Sequence, residues 1–165
     1  MKRALYLAAF AAVLVAGWLA LRTPGLGPAP ETTFVLLDGS TQSTSSFRGK
    51  VMLVNFWATS CASCVAEMPQ LVATFDKYRQ QGFETIAVAM SYDPPSYVVN
   101  FAQSRKLPFK IAFDNTGAVA QAWDDVRLTP TTFLVDKNGL IIKRYIGEPD
   151  FDDLHSLIEK LLQQS

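Results

Sequence analysis

The chain has 165 residues, 49% of them hydrophobic, which suffices for one buried core and no more than one full domain. Fifteen Lys and Arg balance fifteen Asp and Glu. With no basic stripe, no long charge run and no internal repeat, nucleic acid is not an expected partner and repeat architectures are excluded.

Met1-Lys2-Arg3 is positive, and eighteen uncharged residues, Ala4 to Leu21, follow it. As a helix that run covers roughly 27 Å, just enough for a bilayer core. Lys2 and Arg3 before it, against Arg22 after it, leave the N-terminus in the cytoplasm under the positive-inside rule. A cleaved signal peptide is the alternative and would make the protein soluble and periplasmic. Its one candidate small-x-small site, Val15-Ala16-Gly17, falls inside the apolar run, so an uncleaved anchor over residues 1–22 is favoured. No cysteine stands near the end of the run, which excludes a lipoprotein anchor. Either way the domain is expected to be exported. Residues 23–30 are a Pro/Gly tether, and the domain is expected over residues 31–165.

Thr33 to Leu37 reads as a short strand, Asp38-Gly39 as a tight turn, and Ser40 to Ser46 as a weak polar return strand. Val51 to Trp57 is a nearly unbroken apolar run, the pattern of a strand buried on both faces. A helix follows to about Gln80, with Val65, Met68, Val72 and Phe75 as its stripe, Pro69 as a kink and Gly82 as its stop. Glu84 to Met90 is the next strand. Asp93-Pro94-Pro95 opens a helix with Val98, Phe101 and Ala102 on one face, and Phe109 to Phe113 is a strand. Val119 and Trp123 mark a small helix. Thr131 to Val135 and Leu140 to Tyr145 form a hairpin through Asp136-Lys137-Asn138-Gly139. Phe151, Leu154, Leu157, Ile158, Leu161 and Leu162 are the buried stripe of a closing helix, started by Asp150 and Asp153, with His155 on its solvated side. Strands alternating with helices and ending in a hairpin and a helix indicate an α/β sandwich with a mixed sheet.

Between the central strand and its helix stands Cys61-Ala62-Ser63-Cys64, the only two cysteines in the chain. A thiol at a helix N-terminus faces unpaired N–H groups and a positive dipole, which favour its thiolate. Cys64 lies three residues on, close enough to close a disulfide on Cys61. Half of a zinc site is one alternative, but zinc needs about four ligands, and the single histidine, His155, lies on another helix. A structural disulfide is another, but so small a loop constrains little of the unfolded chain. A dithiol that cycles is the favoured reading.

Gly49-Lys50-Val51, then Asn55-Phe56-Trp57-Ala58-Thr59, the CxxC, Glu67 and Pro69 resemble the exported thioredoxin-like family of TlpA and ResA. Pro130-Thr131-Thr132-Phe133-Leu134-Val135-Asp136-Lys137-Asn138-Gly139 resembles the family's second signature. The resemblance covers Glu31 to Ser165 and implies a thioredoxin-like mixed sheet flanked by helices. It adds an N-terminal β-hairpin and a helix–strand insertion, placed here at Pro94 to Phe113, all preceded by the N-terminal apolar helix. Members are membrane-tethered or periplasmic disulfide reductases, several serving cytochrome c maturation or metal-centre assembly.

By that resemblance Cys61 attacks the substrate disulfide and Cys64 resolves the mixed disulfide. Pro130 is the family's cis-proline; most X-Pro bonds are trans, so this rests on the resemblance alone. Thr129, Pro130, Trp57 and Ser60 are placed at the substrate contact, although Trp57, like Trp123, reads most simply as core or near-site packing. Asn55 stands where ordinary thioredoxin has a buried acid, and Glu67 where the TlpA/ResA type has one that moves the proton of resolution. Bare sequence would instead make Glu67 a solvated helix carboxylate. The resemblance further implies oxidised exported proteins as substrates and a membrane thiol-electron donor of the DsbD or CcdA type. The chain is expected to be a monomer held to the inner membrane by a single span, with no cofactor or metal.

Ser60 and Ser63 depart from the family's usual Trp and Pro at those positions. Between Asn55 and Asp76 there is no Lys, Arg or His, so only the helix terminus lowers the Cys61 pKa, which points to a reductant rather than a strong oxidant. Disulfide oxidase or isomerase activity is the alternative direction. A peroxiredoxin is disfavoured by Ala58, where that reaction needs Thr or Ser three residues before its cysteine. A thiol chaperone or metal-delivery module holding Cu(I) through the CxxC and Met68 is the non-enzymatic alternative, although Met68 fits the core stripe better.

Overall fold

The computed structural model describes residues 26–164, so the expected membrane segment lies outside the described residues. In chain order the elements are β1 (Gly27–Pro28), β2 (Thr33–Val35), β3 (Thr41–Ser43), β4 (Val51–Trp57) and α1 (Ala62–Tyr78). β5 (Phe83–Ala89), α2 (Pro95–Ser104), β6 (Lys110–Phe113) and α3 (Ala118–Ala122) come next, then β7 (Thr131–Val135), β8 (Leu140–Ile146) and α4 (Phe151–Gln163).

β4 is buried at every position because both of its faces are covered. Its odd-numbered apolar residues, Val51, Leu53 and Trp57, join α1 and α4 in one core with Leu71, Tyr78, Val98, Leu154 and Ile158. Its even-numbered residues, Met52, Val54 and Phe56, join Phe34, Phe47, Trp123 and Phe133 in a second core on the opposite face. Each large side chain fully buried in this way contributes about 1.5–3 kcal/mol relative to exposure. The sheet has the order β1-β8-β7-β4-β5-β6. β4, β5 and β6 run parallel, while β7 and β8 are antiparallel, so the sheet is mixed as expected. The fold is thioredoxin-like.

The β2–β3 hairpin forms a separate two-stranded sheet, docked on β6 through a bridge from Leu36 to Ala112. Its return strand is shorter than expected: Thr44–Phe47 turns into a 3-10 helix, which buries Phe47 and Thr44. α2 and β6 lie between β5 and β7, where the helix–strand insertion was expected. Gly27 and Pro28, read as tether, pair with Ile141 and Leu140. So short a strand needs only backbone contacts, here flanked by Leu26 N–H to Ile141 O (2.6 Å) and Ala29 N–H to Gly139 O (2.8 Å), and leaves no periodicity to read.

α1 runs on through Pro69 and ends at Tyr78, with a 3-10 turn to Gln81 before Gly82 at φ 91°. Its buried line is Cys64, Glu67, Met68, Leu71, Thr74, Phe75 and Tyr78; Met68 and Phe75 of the expected stripe lie on it, whereas Val65 and Val72 do not. The reason is that α1 meets two partners. The sheet buries the Cys64–Leu71 line, whereas Val65 and Val72 line a groove with Phe101 and Leu107. His155, expected in solvent, is half-buried between Tyr78 and Phe151, with Nε2 2.8 Å from the Thr74 hydroxyl. Burial lowers its pKa.

Candidate active site

At the end of β4 the chain makes a tight turn in which Cys61 N–H donates to Ala58 O (3.1 Å), and α1 starts immediately after it. Cys61 is therefore the N-cap residue of α1, with extended backbone, and its sulfur accepts from Cys64 N–H at 3.2 Å. A sulfur takes here the place that a Ser or Asp oxygen occupies at most helix starts. Cys61 and Cys64 are joined as a disulfide with their Cα atoms 5.2 Å apart. Cys61 is partly exposed and Cys64 fully buried, so an incoming group meets Cys61 first.

Opposite Cys61 stands the loop before β7. The Thr129–Pro130 peptide is cis, and Thr129 O lies 3.5 Å from Cys61 Sγ. Thr131 Oγ1 donates to Leu128 O (2.8 Å) and Gly147 N–H to Pro130 O (2.8 Å), which pins that loop to β8. Thr129 is half-exposed beside the sulfur, and Ser60 is exposed one residue before it. Ser63 places its hydroxyl 3.5 Å from Cys61 Sγ. Trp57 requires a correction: expected at the substrate contact, it is fully buried, its ring 5.2 Å from that of Phe101. It lies on the core-facing side of β4 and supports the site from beneath.

Glu67 follows Cys64 by one helical turn and is fully buried. Its Oε1 accepts from Asn55 Nδ2 (2.9 Å), which also donates to Thr132 Oγ1 (3.0 Å). Glu67 Oε2 and Asn55 Oδ1 have no hydrogen-bond partner among the described residues. Burial pushes the Glu67 carboxyl up to about 7, against the Asn55 bond that lowers it, and the negative charge of Glu148 raises it further. A carboxyl titrating near neutrality under a buried cysteine is equipped to give and take a proton. Met68, the candidate soft ligand, is buried in the core. Among the described residues no three or more His, Cys, Asp or Glu side chains gather as a metal site.

A redoxin family model matches residues 27–159. The chain belongs to the redoxin family. The thiol-disulfide oxidoreductase ResA of Geobacillus thermodenitrificans is 35% identical over 133 residues, covering 81% of this chain and 75% of the relative. ResA of Bacillus thuringiensis is 32% identical over the same share of this chain and 76% of its own. The solution structure of a thioredoxin-type protein from Neisseria meningitidis is 38% identical and superposes with a TM-score of 0.78, covering 84% of this chain and 92% of that one. This redoxin is a thiol-disulfide oxidoreductase of the TlpA/ResA type, and the Cys61–Cys64 pair is its dithiol.

One participant escaped the sequence reading. Asp93, read only as a helix start, is buried and accepts from both Thr59 N–H and Thr59 Oγ1, each at 2.6 Å. A carboxylate directly after an apolar strand and before Pro94-Pro95 was the visible signal, but nothing in it pointed back to Thr59.

Proposed function

We propose that this redoxin reduces disulfides of exported proteins, with Cys61 as attacking thiolate, Cys64 as resolving thiol and Glu67 as the proton carrier between them. In the first step the Cys61 thiolate attacks a substrate disulfide, forming a mixed disulfide and releasing one substrate thiolate, which takes a proton from solvent. In the second, Cys64 gives its proton to Glu67 and attacks Cys61 Sγ. The Cys61–Cys64 bond forms and the second substrate sulfur leaves with two electrons. A membrane thiol donor of the DsbD or CcdA type then returns two electrons to the pair. Glu67 gives its proton back to Cys64, Cys61 is left as the thiolate, and the second substrate thiolate takes its proton from solvent.

The observation that carries this reading is the burial of Cys64 and Glu67 one turn apart, with the carboxyl titrating near 7. A buried thiol has to lose its proton before it attacks, and Glu67 is the acid–base group placed on its side of the helix. The direction of electron flow is read from Cys61, whose sulfur receives one N–H at the helix start, with no Lys, Arg or His between Asn55 and Asp76 to favour its thiolate further. Cys61 is therefore no strongly stabilised thiolate, and a pair of that kind gives electrons away. The apolar run Ala4–Leu21 supports export and attachment to the inner membrane, and the protein is proposed to act as a monomer. The clients proposed are oxidised cysteines of cytochrome c maturation or metal-centre assembly.

Equilibrating the protein against a dithiol redox buffer tests this reading. A potential near or below about −270 mV is expected for a reductase, and one near about −120 mV would make it a disulfide donor.

A further inference from the structure

Parallel strands β4 and β5 end side by side, Trp57 against Ala89. Both continue into four-residue turns at the same edge. In the first, Cys61 N–H closes on Ala58 O; in the second, Asp93 N–H closes on Met90 O at 3.0 Å. Met90 N–H donates to Trp57 O (3.0 Å), so the two turns leave the sheet in register. Asp93, 2% exposed, reaches from the second turn to the first, Oδ2 to Thr59 N–H and Oδ1 to the Thr59 hydroxyl. A solvent-facing turn needs no such partner, because water satisfies its outward N–H groups, and burying a carboxylate is costly unless its bonds are good. Tyr92, the neighbour of Asp93, puts its hydroxyl 3.3 Å from Thr129 Oγ1. The turn at 90–93 thus touches the residues before Cys61 on one side and the loop facing its sulfur on the other.

We propose that Asp93 is a positioning residue for the attacking thiol. Through Thr59 it holds the turn Ala58–Cys61, and so keeps the Cys61 sulfur on the helix N-terminus and beside Thr129. This rests on Cys61 being the attacking thiol. The sulfur's contact with Cys64 N–H depends on the backbone at Cys61, two residues from Thr59. Once the clamp is lost, the turn loosens, the sulfur spends less time on that N–H, and the thiolate is less favoured. The sign of the effect is diagnostic. Were Asp93 acting as a nearby negative charge, neutralising it would favour the thiolate instead. The other acids of the region, Glu67 on α1 and Glu148 after β8, whose charge reaches Glu67, are unchanged in every variant tested.

The experiment compares the reduced full chain with its Asp93→Asn, Thr59→Val and Thr59→Ser variants. Alkylation of Cys61 is followed against pH, alongside the rate of attack on a model protein disulfide and the melting temperature. Asp93→Asn and Thr59→Val are expected to raise the apparent Cys61 pKa by roughly half a unit, the size of a helix-terminus effect, and to slow attack severalfold. Thr59→Ser keeps both donors and is expected to match the parent. The Asp93→Asn/Thr59→Val double variant should be no worse than the more affected single one. A folded Asp93→Asn protein with an unchanged or lowered Cys61 pKa overturns the proposal, as does an additive double variant. If Asp93→Asn does not fold, Thr59→Val decides by the same criterion. A parent chain that does not titrate as a two-electron couple sinks the underlying thiol reading instead, which is a separate outcome.

Discussion

Two buried carboxylates flank the dithiol, and they are partnered in opposite ways. Asp93, at the edge where β4 and β5 end, has both oxygens occupied by Thr59 at 2.6 Å. Glu67, beneath Cys64, has one oxygen on Asn55 and the other without a partner among the described residues. A carboxylate with both oxygens bonded to the neighbouring turn serves as a fixed strut. An under-bonded one pays for its burial by holding its proton to about 7, which keeps it available for exchange. Both acids are buried, and they differ in how many donors reach them.

The strongest way to break that contrast is Glu67→Gln, which keeps the shape and the Asn55 contact but cannot carry the proton. Attack by Cys61 should persist while resolution by Cys64 slows about a hundredfold, the low end of general acid–base contributions. Acid quenching with mass detection of the mixed disulfide checks this, and equal slowing of both steps would deny Glu67 its separate role.

Stability against pH comes next in size. The unfolded carboxyl ionises near 4.5, whereas the folded one holds its proton to about 7, so between these values the folded state binds more protons. Stability therefore falls as pH rises through that window, by on the order of 3 kcal/mol in total. Denaturant melts from pH 4 to pH 8 should show the fall in the oxidised parent protein and lose it in Glu67→Gln.

Removing the lone donor to Glu67 sharpens the contrast. Asn55→Ala should raise the Glu67 pKa further, by up to about one unit, because a bond favouring the charged form is lost. A carbon-13 NMR titration of the Glu67 carboxyl reads it directly, and a downward shift would contradict the assigned cause. The smallest effect belongs to Glu148→Gln, which removes a like charge and should lower the same pKa by a few tenths. Because Glu148 is exposed, added salt should erase the difference.

The frame of the site was readable from pattern because the pattern has a local cause. Seven successive buried positions in β4 show as an apolar run, and Gly82 at positive φ shows as a stop. Glu67 could have been placed from spacing: Cys64, Glu67, Met68 and Leu71 fall on one i, i+3, i+4, i+7 line, although the more apolar set Val65, Met68, Val72 and Phe75 hid it. Of the two readings of Trp57, core packing holds over substrate contact because both faces of β4 are covered, so an aromatic at either parity is buried. Asp93 was out of reach for a different reason. Its partner lies 34 residues away, and only the parallel pairing of β4 with β5 brings the two turns together.

The pairing of Gly27 and Pro28 with β8 has a consequence for life among other polypeptides. β8 is a seven-residue strand, and without β1 it would be the bare edge of the sheet, a template for any extended chain nearby. β1 covers its start at Leu140 and Ile141, and Lys143 and Arg144 place charge on the remainder, each paired with an aspartate, Asp153 and Asp124. An enzyme whose substrates are themselves polypeptides needs such a guarded margin, so that what it handles as a disulfide is not captured as an added strand.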